Sequence, residues 1–257
     1  SFFSFSNGRA NNLALTAVLG RNSVSDPIFP TWGSNVEVSV KATPPYSAFR
    51  PLDYYENADG SPVDDQTRYR WVEYHKWKVK AEWYTPLTQS GGENPKTLVL
   101  RTAAGVGLIG QYNRRAGLSP FERFYLGGVF LSGFVLDGRE ILNLRGYDDL
   151  SLTAPDRNTG APVVAKYSAE LRYPLSTNPS ATIYTLAFLE GGNTWEDPRA
   201  FNPFQVYRSA GVGMRIFLPM FGLLGLDYGW RLDDLESVPN MDRAQFHFSI
   251  GMNMGEL

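Results

Sequence analysis

At 257 residues, with a formal charge of -2, no cysteine and 14% aromatic side chains, the chain excludes several classes at once. Near-neutral charge argues against a nucleic-acid binder, whose electrostatic footprint is basic, and the lack of cysteine removes disulfide scaffolds and thiol chemistry. No run approaches the ~20 consecutive apolar residues of a membrane-spanning helix, and Ser1-Phe2-Phe3-Ser4-Phe5-Ser6 shows neither the basic flank nor the apolar core of a signal peptide. The protein is then either soluble or in contact with lipid through something other than helices.

From the N-terminus onward the pattern is one of alternation. Leu13, Leu15, Ala17 and Leu19 oppose Ala14, Thr16 and Val18. After the turn at Ser25-Asp26-Pro27-Ile28-Phe29-Pro30-Thr31-Trp32-Gly33, Val36, Val38, Val40 and Ala42 oppose Glu37, Ser39 and Lys41. A period of two marks strands. A Pro- and Asp-rich loop over residues 44–66 leads to a long strand predicted over 68–84, which sets Trp77, Val79, Ala81 and Trp83 against Lys76, Lys78, Lys80 and Glu82. A row of charge on one face and tryptophan on the other suits water inside and a bilayer outside.

The turn over residues 89–94 reverses the chain into 97–110, where Leu98, Leu100, Ala104, Val106 and Leu108 oppose Arg101, Gly105 and Gly107. Past a long connection, Val163, Ala165, Tyr167, Ala169, Leu171 and Tyr173 oppose Lys166, Ser168, Glu170 and Arg172. Over residues 181–190, Ile183, Thr185, Ala187 and Leu189 oppose Tyr184, Leu186, Phe188 and Glu190. Ala210, Val212, Met214, Ile216 and Leu218 oppose Gly211, Gly213 and Arg215; after a tight turn, Leu224, Leu226, Tyr228 and Trp230 oppose Asp227, Gly229 and Arg231. The last strand carries Phe246, Phe248, Ile250, Met252 and Met254 against Gln245, His247, Ser249 and Asn253.

Roughly nine strands, apolar on one face and polar or glycine on the other, describe an all-β fold. Short turns alternate with longer loops, as in a transmembrane antiparallel β-barrel, because hydrocarbon forbids unpaired strand edges. Trp83, Tyr84, Tyr173, Trp195, Tyr228 and Trp230 then fall at interfacial girdles. The alternative is a soluble β-sandwich, which the mid-face arginines and lysines disfavour.

The connection over residues 112–162 far exceeds the usual few residues between strands. Phe121-Glu122-Arg123-Phe124-Tyr125-Leu126-Gly127-Gly128 and Leu144-Arg145-Gly146-Tyr147 make it too rich in aromatics for a disordered linker. An arginine beside a Gly-aromatic pair suits insertion into a confined place.

These residues resemble the outer-membrane barrel-assembly family of BamA-type proteins (the bacterial surface antigen superfamily). Phe29-Pro30-Thr31-Trp32-Gly33 is similar to its Phe-Pro-Thr-x-Gly turn. Phe124-Tyr125-Leu126-Gly127-Gly128 and Leu144-Arg145-Gly146-Tyr147 are similar to the Phe-Tyr-x-Gly-Gly and Val-Arg-Gly-Phe elements of its sixth extracellular loop. Ala169-Glu170-Leu171-Arg172-Tyr173-Pro174, the run from Phe188 to Trp195, Ser209-Ala210-Gly211-Val212-Gly213 and Phe246-His247-Phe248-Ser249-Ile250-Gly251 match the strands that follow. Arg21-Asn22-Ser23 and Thr43-Pro44-Pro45-Tyr46-Ser47 suggest the Bacteroidetes branch. The resemblance covers nearly the whole chain and implies the last eight or nine strands of a sixteen-stranded barrel, with Phe2 to Ser6 ending a preceding strand and no POTRA domain present. As a complete protein, the chain would instead close as an eight- or ten-stranded barrel.

By the resemblance, Arg145 lies inside the barrel and pairs with Glu170 and Glu190, beside Phe188. The residue pattern agrees, since both acids fall on inward faces of strands joined by a short hairpin and are expected to be cross-strand neighbours. Nearby carboxylates repel unless a cation intervenes, and one guanidinium can bridge both. A solvated Arg145 is the alternative, and a glycosidase-like carboxylate pair is a further one. His75 and His247 lie on distant strands outside any ligand spacing, which argues against a metal site or histidine catalysis. No cofactor is expected.

The last strand, with Phe246, Phe248, Ile250, Met252 and Met254, is the expected closing edge, although Met254 replaces the family's terminal aromatic. In the family this edge pairs weakly with the first strand, and substrate strands add there by β-augmentation. The resemblance implies a non-enzymatic insertase in the bacterial outer membrane, with lipids, nascent outer-membrane proteins and accessory Bam lipoproteins as partners. A two-partner secretion pore, a TamA-like factor and a passive small barrel are its rivals.

Overall fold

The computed structural model describes residues 9–51, 54–88, 96–128, 139–156, 158–178, 180–235 and 242–251. The strands are β1 (Leu15–Asn22), β2 (Gly33–Ala42), β3 (His75–Pro86), β4 (Val99–Gly110), β5 (Phe124–Leu126), β6 (Glu140–Leu142), β7 (Val163–Asn178), β8 (Ala181–Trp195), β9 (Tyr207–Leu218), β10 (Gly222–Arg231) and β11 (Ala244–Ile250). Nine of them form one antiparallel sheet in the order β1-β2-β3-β4-β7-β8-β9-β10-β11. Each pairs with its sequence neighbour except where β4 reaches β7 across the long loop, inside which β5 and β6 pair in parallel. Among the described residues β1 and β11 are the two edges of the sheet. Phe2 to Ser6, the 89–94 turn, Met252 and Met254 lie outside the described residues.

Burial is inverted relative to a soluble domain. Leu171, Leu189, Val212, Tyr228 and Phe246 point outward and are exposed, whereas Glu170, Arg172, Glu190, Arg215 and Asp227 point inward and are buried. Charged side chains are almost never fully buried unless paired. A wall with hydrocarbon outside and paired charges in its lumen meets both conditions. A dry sandwich core built from the apolar faces is thereby ruled out among the described residues.

Three expectations need correction. The strand predicted over 68–84 starts only at His75. Arg68 instead ends a helical turn, Asp65–Arg68, capped by Asp64, whose carboxylate accepts the Thr67 amide at 3.0 Å. Val72 and Tyr74 then pack on Ile109, Leu118 and Phe121, so a local cap and tertiary burial override the alternation. Tyr84 belongs to no outer girdle. It shares the inward parity of Glu82, to which its hydroxyl donates at 3.2 Å, and packs beside Phe29 and Tyr184. Trp195 is buried beneath Phe201, with their rings edge-to-face at 4.9 Å between centroids. Trp83, Tyr173, Tyr228 and Trp230 are exposed. β7 also runs on past Pro174, where the register with β8 shifts, as expected where proline has no amide to give the ladder.

Candidate functional site: a luminal loop and its anchor

The two loop motifs meet each other before they meet the wall. Phe124, Tyr125 and Leu126 pair with Glu140, Ile141 and Leu142, the Gly127 amide donates to Leu142 O at 3.1 Å, and Leu144 N donates to Gly128 O at 2.9 Å. Phe124, Leu126, Leu142, Leu144 and Tyr147 are buried in one apolar cluster with Leu152, Val164 and Leu235. The loop thus carries a small core of its own, which fixes the segment that bears Arg145.

Arg145 is 6% exposed. Its Nη2 lies 2.6 Å from Glu170 Oε1 and 2.7 Å from Glu190 Oε1, and its Nη1 lies 3.3 Å from Asp227 Oδ1. The Arg145 backbone amide donates to Glu190 Oε2 at 3.1 Å, and the guanidinium sits 3.7 Å from the Phe188 ring centroid. Planar stacking on an aromatic with several acceptors in the guanidinium plane is a geometry that lysine cannot reproduce. The carboxylates hold further cations: Arg172 donates to Glu170 Oε2 at 2.5 and 2.8 Å, and Arg215 takes both Asp227 oxygens at 2.9 Å. Such a network stabilises only while every member is paired.

Next to it, Gly146 adopts φ +85° and its backbone lies directly on β10. A Cβ on Gly229 would come within 2.8 Å of Gly146 N, so the wall residue must be glycine for the loop to pass. The Gly146 amide donates to His247 Nε2 at 2.9 Å, which places the neutral imidazole's proton on Nδ1. Tyr147 Oη donates to Arg208 O at 2.7 Å, and Gln245 Nε2 donates to Asp148. Four consecutive loop residues are therefore tied to β8–β11.

A second set of contacts holds the opposite side of the loop. Glu122 Oε1 lies 2.5 Å from Lys41 Nζ, and Glu140 lies 2.5 Å from Lys76 and 2.9 Å from Lys78. Burial opposes ionisation of Glu140, yet Lys76 and Lys78 outweigh it and hold that carboxyl below its ordinary range. The lysine row of β3 thus faces loop acids as well as the aqueous lumen.

The structure brings Arg145, Glu170, Glu190 and Phe188 into contact, with Leu144, Gly146, Tyr147, Gly127 and Gly128 around them. Glu170 and Glu190 are not directly opposite, since Glu170 pairs with Phe188 and Glu190 with Ser168. They are diagonal neighbours on the paired strands β7 and β8, and the two carboxylates meet through Arg145. Phe246 and Ile250 of β11 face outward and are exposed, with Phe248 half-buried. The sequence reading missed Asp227, Glu122, Glu140 and the part played by His247. Inward parity was the available signal for Asp227 and His247. Among the described residues no group of histidines and acids is arranged to hold a metal ion.

An antiparallel sheet with an apolar exterior, a charged interior and a loop pinned to its inner face defines the wall of a membrane β-barrel with a luminal loop. The model of the Omp85 superfamily domain matches residues 5–254, and the chain belongs to that superfamily. The crystal structure of BamA from Haemophilus ducreyi lacking POTRA domains 1–3 is similar in fold, with a TM-score of 0.58 and 18% identity over 91% of this chain and 41% of that one. The chain thus spans less than half the length of that structure. No curated protein matches the sequence.

Proposed function

We propose that this chain is the C-terminal part of a BamA-type insertase barrel of the bacterial outer membrane, which assists folding and insertion of other outer-membrane proteins. The observation that carries this reading is the Leu144–Tyr147 segment held inside an Omp85 barrel wall by Arg145. A loop fixed at that depth keeps the lumen side of β8–β11 in one shape while β11 remains an edge that can accept a further strand. The role is non-enzymatic: the acids of the site are each held by a guanidinium, an arrangement suited to clamping rather than to proton transfer. The partners on this reading are lipid at the exposed apolar face, nascent barrel strands at the β11 edge and accessory lipoproteins.

Depletion of the protein in its native cells tests this. General loss of newly assembled outer-membrane barrels is the expected result. Normal barrel assembly rejects the insertase reading, and loss of a single exported protein would instead mark a secretion pore.

A further inference from the structure

The β1–β2 turn lies at the end of the wall opposite the long loop, because Gly33 of β2 pairs with Tyr84 near the end of β3, and Tyr84 with Arg101 near the start of β4. It does not project into solvent as connecting segments usually do. Phe29 is 7% exposed and packs with Val99, Tyr184, Leu186 and Phe188, its ring centroid 5.1 Å from that of Tyr184. Tyr184 belongs to β8, which follows β2 in the sheet after β3, β4 and β7, a separation of roughly 19 Å along the wall at the usual strand spacing. Only a turn swung across the concave face closes that distance. Pro27, Ile28 and Pro30 accordingly line the partly open cavity of about 180 Å³ beside Arg145.

Local bonding holds the turn in that pose. Asp26 Oδ1 accepts the amides of Ile28 and Phe29 at 2.7 and 2.8 Å, an Asx-type turn that aims the phenyl ring. Ser25 N donates to Trp32 O at 3.0 Å, and Ser25 Oγ accepts the Thr31 amide at 2.9 Å. Pro27 and Pro30 restrict φ on either side of the ring. Trp32 is exposed, so the segment buries one aromatic against the inner wall and leaves the other outside. Phe188 is shared between two elements: it packs in the Phe29 cluster, and its ring also carries the Arg145 guanidinium at 3.7 Å. The turn and the long loop thus reach one side chain from opposite ends of the wall.

We propose that the β1–β2 turn is an inner lid of the lumen, held shut by Phe29 in the socket of Val99, Tyr184, Leu186 and Phe188, and that it bars hydrated ions and small polar solutes at the end away from the long loop. A lumen lined by charged side chains is wetted and passes ions unless an apolar element constricts it. Ile28, Phe29 and the two prolines supply that element. The lid moves as a unit, because its internal hydrogen bonds survive when the ring leaves its socket. This inference rests on the turn and the wall it meets, and is independent of the insertase reading.

The test uses the full-length protein, folded in planar bilayers and in micelles. Phe29→Ala should raise the ionic conductance severalfold, and Trp32→Ala should leave it unchanged. The chain has no cysteine of its own, so Val99→Cys puts a single reporter thiol into the socket. Its reaction with a charged thiol reagent should be slow while Phe29 is present and about tenfold or more faster with Phe29→Ala, because the rate follows the open population. A thiol placed by Ala165→Cys, in the separate cluster with Trp195, should keep its rate. Unchanged conductance in Phe29→Ala overturns the proposal, as does an equal rise in Trp32→Ala. Equal acceleration of both thiols would mean that the ring merely supports the fold, and overturns it too. Fast labelling at Val99→Cys with Phe29 intact overturns it whether or not the alanine variant folds.

Discussion

Gly146 in the loop and His247 in the last strand are joined by one hydrogen bond, the Gly146 amide to Nε2 at 2.9 Å. The loop is thereby tied to the strand at the edge of the sheet, more than a hundred residues away, next to the arginine that anchors it. Release of the loop from β11 requires this contact to break.

His247→Phe would keep the volume and leave the Gly146 amide without its acceptor. A buried unsatisfied donor costs about 1–3 kcal/mol. Hydrogen exchange should accelerate at the amides of residues 145–147 while those of β3 and β4 keep their protection. Unchanged exchange at Gly146 would show that the contact contributes nothing.

Arg145→Ala leaves Glu170, Glu190 and Asp227 without their shared guanidinium. Breaking a buried charge network in this way costs about 3–5 kcal/mol, and the folded form should lose its heat-modifiable migration at a lower temperature. Arg145→Lys should recover little of the loss, because an ammonium cannot stack flat on Phe188 while reaching three carboxylates. Full recovery by lysine would mean that charge alone matters.

Gly229→Ala places a methyl group within 2.8 Å of the Gly146 amide nitrogen. Overpacking of this kind costs about 1–3 kcal/mol, and protease should cut the loop faster. Gly20→Ala, whose Cβ would meet nothing closer than Val36 O at 3.8 Å, is the matched control and should be neutral. Equal behaviour of the two variants contradicts the close approach.

The Lys76 and Lys78 contacts depress the Glu140 carboxyl, so the sign of the pH effect is fixed. A lowered folded-state value means that the contact stabilises the loop above the ordinary glutamate range. That contribution is lost as pH falls through the depressed value. Loop hydrogen exchange, corrected for its intrinsic pH dependence, should therefore rise at the acid end, and Glu140→Gln should show the faster exchange already at neutral pH. A pH-independent difference between the two proteins down to the most acid condition would exclude Glu140 as the titrating group.

Leu189, exposed on the outer face near the middle of β8, tests the orientation of the wall. Leu189→Arg should reduce the yield of folded barrel in vesicles, since a charge near the bilayer midplane costs about 2–4 kcal/mol. Unimpaired insertion would place that face away from lipid.

Period-two alternation in the sequence by itself determined the nine wall strands and the face of each, because side-chain direction in a strand depends only on parity. The motifs at Phe124–Gly128 and Leu144–Tyr147 likewise marked the loop as special before any partner was visible. Parity does not say which residue on the next strand lies opposite. Only the tertiary structure decided that Glu170 faces Phe188, that Asp227 and His247 complete the anchor, and that Glu122 and Glu140 meet the lysines of β2 and β3. Those contacts join residues 18 to 101 positions apart, so they depend on register and loop packing set by the whole sheet. The same limit explains the shortened third strand and the inward Tyr84, where capping and burial by distant residues overrode a locally plausible pattern.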